Sequence, residues 1–219
     1  MTSLKPHALN CDVLVIGGGG AALRAAIASR ETGADVLVVS KTRVGFGNNT
    51  YISKASWAVP GLGDPEDTYQ VHVKDTLAGG CFLNDERMVE RVARDAGRVI
   101  PFMEKCGVRF ATKDGRMLVD RVPGHTYRRH VRGENRTGSD LMLPIKEYAK
   151  RVGVRFLDRV FVTTLIPQGD RLAAAAGITE KGAFYSIGFR CAVLATGGYA
   201  RIYLHNNNAA GIQGDGQNI

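Results

Sequence analysis

The chain has 219 residues, 44% hydrophobic and 23% charged, enough to bury one sizeable core and too apolar for wholesale disorder. Its formal charge is +8, yet the basic residues are scattered and no aromatic-interleaved basic stretch occurs. That pattern argues against nucleic acid and fits a positive field that draws a polyanionic cofactor, a dicarboxylate or an acidic partner subunit.

The strongest local signal lies in the first forty residues. Val13-Leu14-Val15-Ile16 is an unbroken apolar run, as expected of a strand covered on both faces. Gly17-Gly18-Gly19-Gly20 follows, then residues 21–31 read as a helix ended by Gly33. Val36-Leu37-Val38-Val39 is a second buried strand, and the whole has the size of a right-handed parallel crossover. Residues 43–63, rich in Gly, Asn, Ser and Pro, are expected to form a long ligand-covering loop. Helical periodicity returns over 67–77 and 86–106, with Pro101 kinking or restarting the second helix.

Residues 107–123 predict short strands around a Lys113-Asp114-Gly115 turn. A helix is expected over 139–152, N-capped by Ser139 or Asp140. Apolar runs at 154–157, 160–166, 172–179 and 190–195 predict consecutive strands, the last running into Thr196-Gly197-Gly198. Cys11, Cys81, Cys106 and Cys191 form no CxxC or Cys/His cluster, so no metal site and no disulfide is implied. Residues 1–10 lack the apolar core of a signal peptide, and no run of about eighteen apolar residues occurs. A cytoplasmic chain that does not itself span a membrane is expected.

Gly17-x-Gly19-x-x-Ala22, between a strand and a helix, is the dinucleotide-binding fingerprint with Ala in its third position. Gly17 permits the tight turn, Gly19 the approach of backbone N–H groups to a pyrophosphate, and Ala22 close helix–strand packing. The second strand ends at Ser40-Lys41 without the acid that normally holds an adenosine ribose, which weakens a nicotinamide reading.

Several segments together resemble the succinate dehydrogenase/fumarate reductase flavoprotein family, with L-aspartate oxidase as a relative. They are Asp12 through Gly20 with Leu23-Arg24-Ala25-Ala26, then Ser40-Lys41-Thr42, and Gly124-His125 with Arg136-Thr137-Gly138. Leu194-Ala195-Thr196-Gly197-Gly198 and the Asn-rich stretch closing on Gly214-Asp215-Gly216 complete the series. The resemblance covers essentially the whole chain. It implies an α/β fold, a Rossmann-like FAD-binding domain with a central parallel sheet and additional small β elements, incomplete at the C-terminus. Residues 1–219 would be the N-terminal segment of that domain, without the capping domain or the strands that return to finish it.

By the same resemblance FAD is the cofactor. Gly17, Gly18, Gly19, Gly20, Ala21 and Ala22 would bind its pyrophosphate, and Ser40, Lys41 and Thr42 would lie near the adenosine ribose. Asn48, Asn49, Thr50, Ala55 and Ser56 would wrap the flavin, and backbone at Val162 would meet the adenine. Thr196 and Gly197 would pass beneath the flavin, and Asp215 would meet the ribityl or neighbouring hydroxyls. The implied reaction moves a hydride between flavin N5 and a small anionic substrate, a dicarboxylate or an amino acid. An iron–sulfur electron-transfer subunit is a candidate partner, at the cytoplasmic face of a membrane complex.

Three departures from the family pattern matter. Covalently flavinylated members carry a Ser-His-Thr element where this chain reads Asn48-Asn49-Thr50, so non-covalent FAD is expected. Ala55-Ser56-Trp57 replaces a common Gly-Gly pair, with Trp57 either altering the flavin environment or simply packing in a core. The family's substrate-clamping His and Arg residues lie beyond the Gly-Asp-Gly turn, so the catalytic residues stay unassigned and an N-terminal fragment or half of a split subunit is expected. Within the chain, His125, His130 and His205 are candidates, with Arg128, Arg129 and Arg132 nearby. His125 near Arg128 could bind an anionic substrate, although a Gly-flanked surface loop explains both more simply, and His72 reads as a partly buried structural residue. No GxSxG occurs. The alternatives are a non-catalytic nucleotide-binding or assembly module and an NAD(P)-dependent Rossmann enzyme.

Overall fold

In chain order the elements are β1 (His7–Ile16), α1 (Gly20–Glu31), β2 (Val36–Ser40), the short α2 (Asn49–Ile52), β3 (Ser56–Ala58), α3 (Tyr69–Gly79), α4 (Glu86–Asp95) and α5 (Val99–Lys105). They continue as β4 (Thr112–Lys113), β5 (Arg116–Met117), β6 (His130–Arg132), α6 (Ser139–Arg151), β7 (Arg155–Asp158), β8 (Phe161–Gln168), β9 (Arg171–Ile178) and β10 (Phe184–Leu194). The computed structural model describes residues 5–219, so part of the N-terminal stretch read for a signal peptide lies outside the described residues. The chain divides into a first unit that ends at Ile52 and resumes at Met142, and a second unit, Ser53–Leu141.

The first unit is built on a six-stranded sheet of order β7-β2-β1-β10-β9-β8. The first four strands are parallel, and β9 and β8 continue antiparallel. All five residues of β2 are buried, the outcome its unbroken apolar run predicts for a strand covered on both faces. Helix α1 covers one face through Ala22, Leu23, Ala26 and Ile27, each fully buried. Leu14, Ile16, Leu37, Val39, Val160, Val162, Ala175 and Ile187 form one core cluster of the sheet.

Strands β1 and β10 are longer than their apolar runs because each extends beside the other, Leu9 opposite Ile187 and Ile16 opposite Leu194. The chain leaves β1 toward β2 on one side, whereas β10 lies on the other. Strand order therefore reverses between β1 and β10, and the carboxyl ends there open the crevice where open α/β sheets bind ligands.

The second unit pairs β3 with β6 and carries the β4–β5 hairpin. Asp114 and Gly115 have φ of 52° and 75°, the two positive values a type I′ turn requires. Its core joins Val59, Ile100 and Val131 with Trp57, Phe110, Met117 and Val119, so Trp57 packs in a core. The indole meets the Phe110 ring edge-on at 5.6 Å.

Three local expectations are corrected. The stretch 43–63 is not one irregular loop, since it contains α2 and β3. The break between α4 and α5 falls at the 3₁₀ turn Ala96–Arg98, ahead of Pro101. Pro101 thus sits in the first turn of α5, where its missing N–H leaves no bond unmade. Ser139 is already helical in α6, and the Asp140 carboxylate accepts N–H bonds from Asn135 and Thr137 at 2.7 and 3.3 Å. Asp140 organises the turn before the helix instead of capping it.

Candidate dinucleotide site

A cleft in the first unit lies at the carboxyl ends of β1, β2 and β10. It is lined by the Gly17–Ala21 turn, Ser40, Lys41, Thr42, Asn48, Asn49, Thr50, Val162, Thr196, Gly197 and Asp215, so most residues expected to bind a cofactor converge there. Gly17 turns the chain out of β1 with φ +132° while donating its N–H to Val39 O at 2.8 Å. A Cβ on Gly17 would stand 2.1 Å from the Ala195 carbonyl oxygen, and one on Gly18 would stand 2.7 Å from Ser40 Oγ. Only glycine lets these three strand ends approach so closely.

Helix α1 starts at this turn with Gly19 as its N-cap and no side-chain cap. Unpaired N–H groups and the positive end of the helix dipole therefore face the cleft, a ready site for phosphate. Thr50 Oγ1 takes one of these donors, accepting the Gly20 N–H at 3.2 Å.

Ser40 is buried, and its Oγ accepts the Thr42 N–H at 3.3 Å. Lys41 pairs with Asp215 at 2.6 Å and donates to Gln213 at 3.3 Å. Its charge is thereby compensated, leaving backbone N–H groups as the main donors to an anion. Phe161 also lines the cleft beside Val162; sequence reading named only Val162, although the apolar run at 160–166 carried the signal for both.

Asn49 takes part in a polar clasp. Its Oδ1 accepts the Ala209 N–H at 2.9 Å, and its Nδ2 donates to Asn208 Oδ1 at 2.5 Å. Beyond β10, a Cβ on Gly216 would fall 2.2 Å from Thr196 Oγ1. Ala22 is fully buried in α1 and does not line the cleft, as its packing role requires. Ala55 and Ser56 belong to the second unit, Ala55 buried with φ 48° and Ser56 exposed on β3. A glycine turn without Cβ atoms, free helix N–H donors and an adjoining Val160–Val162 apolar strip fits a dinucleotide cofactor.

The second unit holds a polar cluster that sequence reading did not foresee. Arg129 is fully buried and grips Asp67 with two bonds of 2.9 and 2.6 Å. Its Nη1 donates to Asp75 at 2.7 Å and lies 3.1 Å from His72 Nδ1 and 3.2 Å from His125 Nδ1. His125 Nε2 meets His130 Nε2 at 3.1 Å, and His130 Nδ1 meets Ser56 Oγ at 3.0 Å. Arg128 is held by Asp64 and Arg132 by Asp120, so neither is a free cation for a substrate. His205 is exposed. Among the described residues no His/Cys/Asp/Glu group could hold a metal, and no helix is long and apolar enough to cross a membrane.

Burial, then the neighbouring His125, His72 and Arg129, pushes the His130 pKa down to about 4. The unfolded value is about 6.5, so the unfolded chain takes up the proton first as pH falls. The stabilising effect of neutral His130 is complete above about pH 6.5 and is lost between there and about pH 4. Partial burial limits the loss to about 1–3 kcal/mol. Urea midpoints measured from pH 7.5 to 4.5 should fall more steeply for the parent than for His130→Gln; parallel curves would refute the assignment.

A sequence profile of the FAD binding domain family matches residues 12–219. A CoM/CoB fumarate reductase polypeptide of Methanothermobacter marburgensis is 33% identical over 217 residues, 97% of this chain and 40% of that protein. L-aspartate oxidase of Mycobacterium tuberculosis is 31% identical over 218 residues, 94% of this chain and 38% of that protein. Among solved structures, the apo Mycobacterium smegmatis Sdh1 complex matches with a TM-score of 0.81 at 33% identity, over 92% of this chain and 36% of that one. An E. coli quinol fumarate reductase shares the fold, with a TM-score of 0.86 at 24% identity over 96% and 36% of the two chains. The chain spans roughly two fifths of the curated relatives, 40% and 38% of these two.

Proposed function

The chain belongs to the FAD binding domain family, and from that premise we propose that it is the FAD-binding portion of a flavoprotein oxidoreductase. The observation that carries the proposal is the cleft at the strand-order reversal, where the Gly17–Gly20 turn meets the bare N-terminus of α1. The backbone of Gly17 through Ala21 holds the pyrophosphate, and Ser40, Lys41, Thr42, Val162 and Phe161 surround the adenosine. Asn49, Thr50, Thr196, Gly197 and Asp215 serve the flavin half. FAD, once bound, supplies hydride transfer through its N5.

The substrate in this proposal is a small carboxylate, a dicarboxylate or an amino acid. The relatives are named for fumarate reduction and L-aspartate oxidation, and both compounds are small carboxylates. An iron–sulfur electron-transfer subunit is the proposed partner, in keeping with relatives whose names describe one component of a larger assembly. FAD is held without a covalent bond. Asn49 offers no imidazole nitrogen, and its amide is engaged with Asn208 and Ala209.

Acid precipitation of the FAD-loaded full-length protein tests the proposal. All flavin is expected in the supernatant, whereas colour kept in the pellet would disprove non-covalent binding. Asn49→Ala should lower FAD affinity roughly tenfold by loss of the clasp to Asn208 and Ala209. A full-length protein that takes up no FAD on titration would overturn the cofactor assignment itself.

A further inference from the structure

We propose that Asn48 acts on the dinucleotide only through the backbone, as the residue that aims the Gly19 N–H at the pyrophosphate. This rests on the FAD reading above and assigns Asn48 a role other than contact with the flavin. The side chain has two N–H donors and one carbonyl oxygen. Its Nδ2 lies 3.2 Å from Gly18 O and 3.3 Å from Phe46 O, and its Oδ1 accepts the Tyr51 N–H at 3.0 Å. Both side-chain donors and the side-chain oxygen are therefore engaged inside the protein, and no side-chain N–H of Asn48 is left over for a ligand.

What these bonds achieve is seen at Gly18. Its carbonyl accepts from Asn48 and also from the Gly45 N–H, at 2.8 Å. The Gly18–Gly19 peptide is trans, so its C=O and N–H point in opposite directions. Holding the carbonyl against the 43–48 loop turns the Gly19 N–H away from that loop. Gly19 lines the cleft, and its N–H has no partner among the described residues. A glycine peptide is otherwise the easiest of all to flip, because neither orientation of the plane meets a Cβ. Two bonds on one carbonyl remove that freedom before the ligand arrives and lower the entropy lost on binding.

The role predicts a division among ligands that direct contact with the flavin would not produce. The full-length protein, freed of flavin, would be titrated with FAD, ADP and adenosine by calorimetry. Asn48→Ala should weaken FAD and ADP by the same factor, about tenfold for one badly aimed N–H···phosphate bond. Adenosine, which lacks phosphate, should bind unchanged. Asn48→Asp keeps the acceptor for Tyr51 but sets an oxygen against Gly18 O; it should reproduce the loss without disturbing α2. Weakened FAD with unaltered ADP would overturn the proposal in favour of flavin contact. Equal loss for adenosine would also overturn it, as a sign of general damage to the cleft. Wild-type protein that binds neither FAD nor ADP would instead bring down the FAD reading, and the proposal with it.

Discussion

Gly17→Ala is expected to abolish FAD retention and to destabilise the protein by about 2–6 kcal/mol. Two independent costs add. An alanine held at φ +132° is strained by roughly 1–3 kcal/mol. Its methyl would also stand 2.1 Å from the Ala195 oxygen and 2.6 Å from the Ala195 carbonyl carbon, and overpacking costs about 1–3 kcal/mol more. The obstacle is backbone, so no side-chain rotation relieves it. Ala195 itself is fastened, its N–H bonded to Ile16 O at 2.8 Å, and a shift there pulls at the pairing of β1 with β10. For a chain of this size the melting temperature should drop by roughly 5–20 °C. Gly33→Ala is the control: φ is +92° there, but nothing lies within 4 Å of the new methyl. A Gly17→Ala protein that melts like Gly33→Ala and keeps its flavin would show that the turn is not as tight as described.

The second large effect is expected in the other unit. Arg129→Met leaves Asp67 fully buried with no cation beside it, and breaking a buried pair from one side costs about 3–5 kcal/mol. Asp75, His72 and His125 lose the same donor. Arg129→Lys should recover part of the loss, because an ammonium restores the charge but cannot grip both Asp67 oxygens. Replacing the pair together, as Arg129→Met with Asp67→Leu, should cost less than Arg129→Met alone. Denaturant unfolding of the three variants decides the matter; a double variant no more stable than the single would remove the ion pair as the cause.

How much of this was legible beforehand depends on how far apart the interacting residues lie. Gly17 to Ala22 could be read because strand, turn and helix are contiguous and each glycine answers a local demand. The β4–β5 turn was readable for the same reason, since Asp114-Gly115 carries its own conformational preference. Arg129 was not. It sits among Arg128, His130 and Arg132, which suggests a solvated basic loop, while Asp67, the residue that draws it inside, lies 62 positions away. The full lengths of β1 and β10 were hidden likewise, because polar residues such as Asn10 gain a strand conformation only from the neighbour opposite, Gly188. Pro101 marked a helix boundary correctly but not its place. Proline acts on the turn before itself, and the break appears at residues 96–98.

The polar cluster around Arg129 also has a direction. A guanidinium nitrogen has hydrogens and no lone pair to offer, so whichever neighbours receive its two Nη1 hydrogens, His125 Nδ1 must turn its lone pair toward it. A neutral His125 then carries its proton on Nε2 and gives it to His130 Nε2. His130 in turn keeps its proton on Nδ1 and gives it to Ser56 Oγ. The chain runs one way, from arginine to serine, and the tautomers follow from the arginine alone. Ser56 and His130 stand at the spacing of a nucleophile and its base, yet His130 has no lone pair on that side with which to take a proton. What Ser56 retains is its own hydrogen, which leaves its hydroxyl without a base in His130 and unfit for acyl chemistry.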